Sequence, residues 1–327
     1  MDTFRTKVSV TPAQNKIHFG HRILSIGSCF AVEAGQKFLD GGMQTLVNPW
    51  GTIFNTPALL HILQRAVSQT ATMPDHFTSV DDRCLSVAYP SAMYGADATE
   101  LQKRIHQKNI EVTSFLQQTD YLLLTLGTAW VYRHLDTGNM VASCHKMPAA
   151  SFEKILLSPE EQTASIVDLV QLLRQLNPKM QCILTVSPVR HTRDTLPLNA
   201  VSKAVLRYAC HAVMEQVADC SYFPAYEIMQ DDLRDYRFYE ADMIHPSSVA
   251  ISYIWNLFSS NYFDAETLTI QDRISKLQRA VQHRPRTQAA AYYQQILTQI
   301  SEVEQHLGIS LLALKEQAAQ KIASASG

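Results

Sequence analysis

Glycine is scarce in this chain, at 11 of 327 residues, about half the usual ~7%, so each glycine invites a backbone explanation. Long apolar runs are missing too. Nothing approaches the roughly 18 uninterrupted apolar residues that span a bilayer, and Met1 to Ala13 is polar where a secretory signal would be apolar. The expectation is a cytoplasmic protein with no membrane span. Neither sign of charge is in excess: Lys plus Arg number 28, Asp plus Glu 30, and the net charge is −2. With no basic block, binding driven by counterion release has little to work with, which argues against a nucleic-acid partner. The six cysteines are sparse and form no C-x-x-C pair, so they are read mostly as buried thiols rather than a disulfide scaffold. Twelve histidines include no H-E-x-x-H or comparable spacing, and no metal site is expected. What the chain does have is apolar material, 46% of residues, enough for a large core in one domain plus additions.

Four short β-prone runs, Arg22–Ile26, Thr45–Val47, Tyr121–Leu126 and Cys182–Val186, each end at a turn signal, and Ser221–Ala225 is a weaker fifth. Helical periodicity lies between them, at Ile166, Leu169, Val170, Leu173 and Leu176, and at Val201, Val205, Tyr208 and Ala212. Alternation of this kind predicts an α/β fold with a right-handed parallel sheet. Thr56-Pro57 opens a helix through Leu63, and Pro246 opens another with Val249, Tyr253 and Leu257 on one face. Met73 to Tyr94 reads as an insertion, and Val131 to Cys144 as a hairpin turning at Asp136-Thr137-Gly138-Asn139. Residues 1–263 are expected to form the sheet domain. Residues 264–327, rich in Gln, Ala, Ser and charge, are expected to form a helical extension that either clamps the domain or serves as a homo-oligomerisation arm, with Lys321 to Gly327 fraying.

In open α/β sheets ligands gather at the carboxyl ends of strands. The segments there are Gly27-Ser28-Cys29, Asn48-Pro49-Trp50-Gly51, Gly127-Thr128-Ala129 and Ser187-Pro188-Val189-Arg190. Three of the four contain glycine. Cys29 would open a helix that buries Phe30, Ala34 and Phe38, where free backbone N–H groups favour a thiolate and can receive an oxyanion. Ser28 competes for the nucleophile role. Far along the chain, Asp242 and His245 stand three apart, a spacing that lets the carboxylate hold one imidazole nitrogen and turn the other toward a nucleophile. Arg190, His191 and Arg193 share the rim as candidates for an anionic or polyhydroxylated substrate. Tyr226, Glu227, Arg237 and Tyr239 either line the pocket or pair structurally.

The motifs Gly27-Ser28-Cys29-Phe30-Ala31, Asn48-Pro49-Trp50-Gly51-Thr52-Ile53-Phe54-Asn55, Leu124-Thr125-Leu126-Gly127-Thr128-Ala129-Trp130, Thr185-Val186-Ser187-Pro188-Val189 and Asp242-Met243-Ile244-His245-Pro246 together resemble those of the bacterial GSCFA family, which is itself similar to the SGNH (GDSL-like) hydrolases. The resemblance covers about Val8 to Phe263. It implies a flavodoxin-like three-layer sandwich with a five-stranded sheet of order 2-1-3-4-5, and ester or acyl chemistry on O-acylated small-molecule, carbohydrate or cell-envelope substrates. No metal or organic cofactor is implied, with acyl-CoA as the donor if the reaction is transfer. On the SGNH pattern the nucleophile falls on Cys29, the second-block oxyanion glycine on Gly51, and the base and its carboxylate on His245 and Asp242. The third block falls on Gly127-Thr128-Ala129-Trp130 without its asparagine, for which Asn55 and Thr128 are the nearest replacements. The alternative is an SGNH-like fold that has lost catalysis and binds carbohydrate or protein.

Overall fold

The structure, a computed structural model, describes residues 6–69 and 77–326. All five regions contribute a strand to one parallel sheet, the inner three because their residues are apolar on both faces and are covered by helices above and below; the fifth strand is Cys220–Tyr222 rather than Ser221–Ala225, and Ala225 begins a helical turn. In chain order the elements are β1 (Ile23–Gly27), α1 (Cys29–Asp40), β2 (Thr45–Val47), α2 (Thr56–Ser68), β3 (Phe77–Val80), β4 (Arg83–Ser86), β5 (Tyr94–Gly95), α3 (Ala98–Leu116), β6 (Tyr121–Leu126), β7 (Trp130–His134) and β8 (Phe152–Leu156). There follow α4 (Pro159–Leu176), β9 (Gln181–Val186), α5 (Thr195–Gln216), β10 (Cys220–Tyr222), the short α6 (Ala225–Glu227), α7 (Ser248–Tyr262), α8 (Ala265–Gln282), α9 (Ala289–Leu307) and α10 (Leu312–Ser326). The main sheet runs β2-β1-β6-β9-β10, all parallel. Counted along the sheet's own strands, this is the expected order 2-1-3-4-5.

Alternation along each strand sorts the core into two layers. Leu24, Ile26, Leu122, Leu124, Cys182 and Leu184 face the side covered by α2, α3, α4 and α5. Ile23, Leu123 and Ile183 face α1 and α7, where Phe38, Phe258 and Tyr262 close an aromatic cluster. Both α1 and α7 run back from the carboxyl edge of the sheet. Residue Phe263, just past α7, bridges Ile17 beside the start of β1, whereas α1 begins directly after β1 ends. The first residues of the two helices therefore lie on one rim.

Several local expectations need correction. Helix α7 starts at Ser248 with Ser247 as its cap, the hydroxyl accepting from the Ala250 N–H, so Pro246 precedes the helix rather than opening it. Its buried face is Ala250, Ile251, Ile254, Phe258 and Tyr262, and Val249 is exposed. The face of α5 is likewise one residue away from the expected one: Asn199, Ser202, Lys203, Leu206, Ala209, Cys210 and Val213 are buried, while Val201 and Tyr208 are exposed. Its first turns bury polar side chains because they bind backbone carbonyls and amides at the sheet's rim. The hairpin after Trp130 turns where expected, with the His134 N–H donating to the Asn139 carbonyl, but only Arg133 and Met140 bridge there. The ladder partner of β7 is instead β8, which begins only at Phe152.

Of the expected insertion, Met73 to His76 lies outside the described residues. Its remainder forms the antiparallel β3-β4-β5 sheet. Helices α8, α9 and α10 build a separate apolar cluster of Ile274, Leu277, Val281, Ile296, Ile300 and Val303. They attach at the far end of α1, where the Gln278 amide donates to the Asp40 carbonyl and the Gln271 amide to the Gly41 carbonyl. The helix α10 continues to Ser326 where fraying was expected. No helix among the described residues is long and apolar enough to cross a membrane.

Candidate active site

Glycine 27 makes the first turn of the site. Its φ is +129°, and a Cβ there would stand 2.1 Å from the Thr125 carbonyl oxygen, so only glycine lets β1 approach β6 so closely. The turn is held by Asn48, whose Oδ1 accepts from the Gly27 N–H at 2.8 Å, and by the Ser28 N–H donating to the Thr125 carbonyl at 3.0 Å. Ser28 is buried, and no group among the described residues hydrogen-bonds its hydroxyl. It lies beside Gly127, where an added Cβ would meet the Ser28 Cβ at 3.1 Å. Cys29, the first residue of α1, is only partly buried. Burial, and then Glu33, push its thiol above the ordinary value against the pull of its own backbone N–H. The resting group is thus a thiol, which needs a base.

The candidate base, His245, stands just before α7. The His245 Nδ1 lies 2.6 Å from Asp242 Oδ2, while Asp242 Oδ1 accepts from the backbone N–H groups of Ile244 (2.9 Å) and His245 (3.0 Å). Asp242 therefore forms its own turn rather than capping α7. Those contacts, the His245 N–H first, hold its carboxyl down at about 2. An ionised carboxylate fixes Nδ1 as the protonated nitrogen and leaves Nε2 as the acceptor. Both side chains are 46% exposed, open to an incoming substrate.

The expected oxyanion donors are mostly committed elsewhere. The Gly51 N–H donates to the Asn48 carbonyl at 2.7 Å. Asn55 caps α2, accepting from the Ala58 N–H at 2.9 Å, and donates to the Val141 carbonyl at 3.2 Å. The Thr128 N–H donates to the Phe54 carbonyl, and its hydroxyl pairs with Ser202 at 3.0 Å and accepts from the Trp130 N–H. At the start of α1 no side chain caps the helix, so the first amides there remain the donors best placed for a developing negative charge.

Lys203 went unremarked in the sequence. It is wholly buried, and its Nζ donates to the carbonyls of Gly127 and Ser187, both at 2.8 Å, tying the ends of β6 and β9 together. Burial draws its ammonium down to about 7. A neutral amine has two N–H bonds, matching the two acceptors. The signal was present at Asn199, Ser202, Lys203, Leu206, Ala209, Cys210 and Val213, a regular stripe that is polar at one end. Ser202 also accepts from the Ala129 N–H at 2.8 Å, and Asn199 from the His191 N–H at 3.0 Å.

His191 packs edge-on against Phe54 with centroids 5.3 Å apart. Burial, with Lys203 next, lowers it to about 4, and His245 also acts on it. The imidazole is therefore neutral at pH 7. Arg190 lies over the rings of Tyr236 and Tyr239 and donates to the Tyr239 hydroxyl at 2.7 Å. Tyr226 stands over Lys203. Glu227 is not brought to the rim: it accepts from Arg207 Nε and the Tyr222 hydroxyl, each at 2.7 Å. A cleft of about 670 Å³ adjoins the turns, with Phe54, Asn55, Thr128 and His191 on one side and Trp130 and Phe152 of the β7–β8 ribbon on another. Among the described residues no cluster of three or more His, Cys, Asp or Glu side chains could hold a metal ion.

The turn after β1 and the Asp242–His245 pair thus stand at one rim of a parallel sheet of order 2-1-3-4-5. The chain belongs to the GSCFA family, whose model matches residues 22–258. Among solved structures it is similar to a Streptococcus pneumonia protein provisionally described as a platelet activating factor, at 11% identity over 76% of this chain and 86% of that one, with a TM-score of 0.40. It is also similar to a Clostridium thermocellum family 3 carbohydrate esterase (14%, 77% and 98%, TM-score 0.31) and to the acetyl xylan esterase Est2A of Butyrivibrio proteoclasticus (12%, 81% and 65%, TM-score 0.34). No curated protein matches the chain.

Proposed function

We propose that this protein is an esterase or acyltransferase that forms a thioester on Cys29. The observation that carries the reading is the Asp242–His245 pair, with the carboxylate 2.6 Å from Nδ1 and the imidazole on the same rim as the start of α1. His245 Nε2 takes the Cys29 proton as sulfur attacks the ester carbonyl. The amides at the start of α1 receive the oxyanion. His245 then returns the proton to the leaving alcohol, and water or an acceptor hydroxyl, deprotonated by His245 in turn, releases the acyl group. Cys29 rather than Ser28 is assigned as nucleophile because Ser28 is buried against Gly127. O-acylated carbohydrate or cell-envelope material would be received in the adjoining cleft, where Phe54, Trp130, Tyr132 and Phe152 offer ring faces, and acyl-CoA would serve as donor in a transfer reaction. No step calls for a metal.

The test is incubation with 4-nitrophenyl acetate followed by intact mass. Wild type and Ser28→Ala gain 42 Da (the mass of one acetyl group replacing a proton, ~42), while Cys29→Ala and His245→Ala do not. Labelling indifferent to His245 sinks the proposal. It would favour a second reading, supported by the committed donors of Gly51, Asn55 and Thr128, in which the cleft binds carbohydrate or protein without turnover.

A further inference from the structure

Away from the rim, the beginnings of β9 and β10 bring cysteines together. Cys182 and Cys220 are direct partners in the parallel ladder, so their side chains leave the same face of the sheet. Neighbouring strands lie about 4.7–4.9 Å apart, inside the roughly 4.4–6.8 Å window of Cα separations that a disulfide spans. That register sets the two thiols side by side. Both are free cysteines, Cys182 fully buried and Cys220 partly so. Cys220 and Cys182 line a surface cleft of about 570 Å³ along the edge strand, which gives a small molecule access.

We propose that Cys220 and Cys182 are a peroxide-oxidisable pair that closes to a cross-strand disulfide. Cys220 is the attacking sulfur. The neighbouring Cys182 thiol, and next the Arg174 guanidinium, lower its thiol against the effect of burial, whereas Cys220 and burial hold Cys182 well above the ordinary value. Arg174 is fixed there by donating to the carbonyls of Ala218 and Asp219. With hydrogen peroxide as oxidant, the Cys220 thiolate attacks one oxygen, the O–O bond breaks, and the sulfenic acid forms with release of water. The Cys182 sulfur then displaces the sulfenyl oxygen as a second water, its proton leaving with it. Two thiols and one peroxide become one disulfide and two waters, two electrons passing from sulfur to oxygen. Only three ladder pairs hold β10 to β9, and the new bond would add a covalent tie. The inference stands independently of the chemistry assigned to Cys29.

The experiment treats the full chain with hydrogen peroxide, blocks remaining thiols, and maps non-reduced tryptic peptides. Cys182 falls in Met180–Arg190, and both Cys210 and Cys220 fall in Tyr208–Arg234, so Cys210→Ser is mapped alongside wild type. The expected product is a cross-linked pair of these peptides, about 2 Da lighter than their sum. It should persist in Cys210→Ser, vanish in Cys220→Ser, and revert with dithiothreitol. Oxygen adducts without a cross-link, a cross-link lost in Cys210→Ser, or one surviving in Cys220→Ser would overturn the proposal.

Discussion

Lys203→Met tests whether the buried amine ties the site together as described. Methionine keeps a similar apolar stem and removes both donors, leaving the carbonyls of Gly127 and Ser187 unpaired in the interior. Each unpaired buried acceptor costs about 1–3 kcal/mol. Opposing this is the burial of the charge itself. The folded lysine loses its proton near 7, against 10.5 for the free side chain, so between those values the unfolded chain holds the extra proton and rising pH favours the folded state. At 1.36 kcal/mol per unit, that displacement is worth on the order of 5 kcal/mol. Near pH 6 the wild type bears this cost in full, and the variant should be of nearly equal stability. By pH 10 most of the cost is gone, and the variant should be the weaker by several kcal/mol. Urea unfolding of both proteins at pH 6, 8 and 10 reads the difference, in which titrating groups that do not feel Lys203 cancel. A stability gap that stays constant or narrows as pH rises would refute the account of Lys203.

Asp242→Asn should slow acylation of Cys29 by on the order of 10²–10⁴ while leaving the thermal midpoint unchanged, since the pair is exposed; stopped-flow acetylation and a melting curve check both halves. Gly27→Ala puts a methyl into the Thr125 carbonyl at a left-handed φ and should cost roughly 3 kcal/mol or more, seen as a lowered urea midpoint. Ser202→Ala strips the Ala129 N–H of its acceptor and Thr128 of its partner; a loss of about 1–3 kcal/mol is expected, and an unchanged urea midpoint would remove Ser202 from the scaffold of the third turn.

The middle of the central sheet was legible because its inner strands are buried on both faces, which writes them as continuous apolar runs such as Tyr121–Leu126. Helix α4 was legible for a related reason: Ile166, Leu169, Val170 and Leu173 are apolar and buried. Helix α5 was misread because its inward stripe carries Asn199, Ser202 and Lys203, and apolarity alone selected a neighbouring stripe that proves exposed. Pairing of β7 with β8 could not be seen locally, since the ladder joins Trp130 to Leu156. The same holds for Cys182 and Cys220, brought side by side by parallel register rather than by spacing. At the rim, the D-x-x-H spacing announced the Asp242–His245 contact, but the occupation of the Gly51 and Thr128 amides depends on turns whose geometry no motif spells out.

Helix α1 has a different attachment at each end. Twelve residues at 1.5 Å each make it a rod about 18 Å long, with Cys29 at one tip and the glutamine clamps of α8 at the other. Phe30, Ala34 and Phe38 seat the rod in the core along its length. The C-terminal helices are thus anchored about 18 Å from the thiol, at the opposite end of the sheet from the rim.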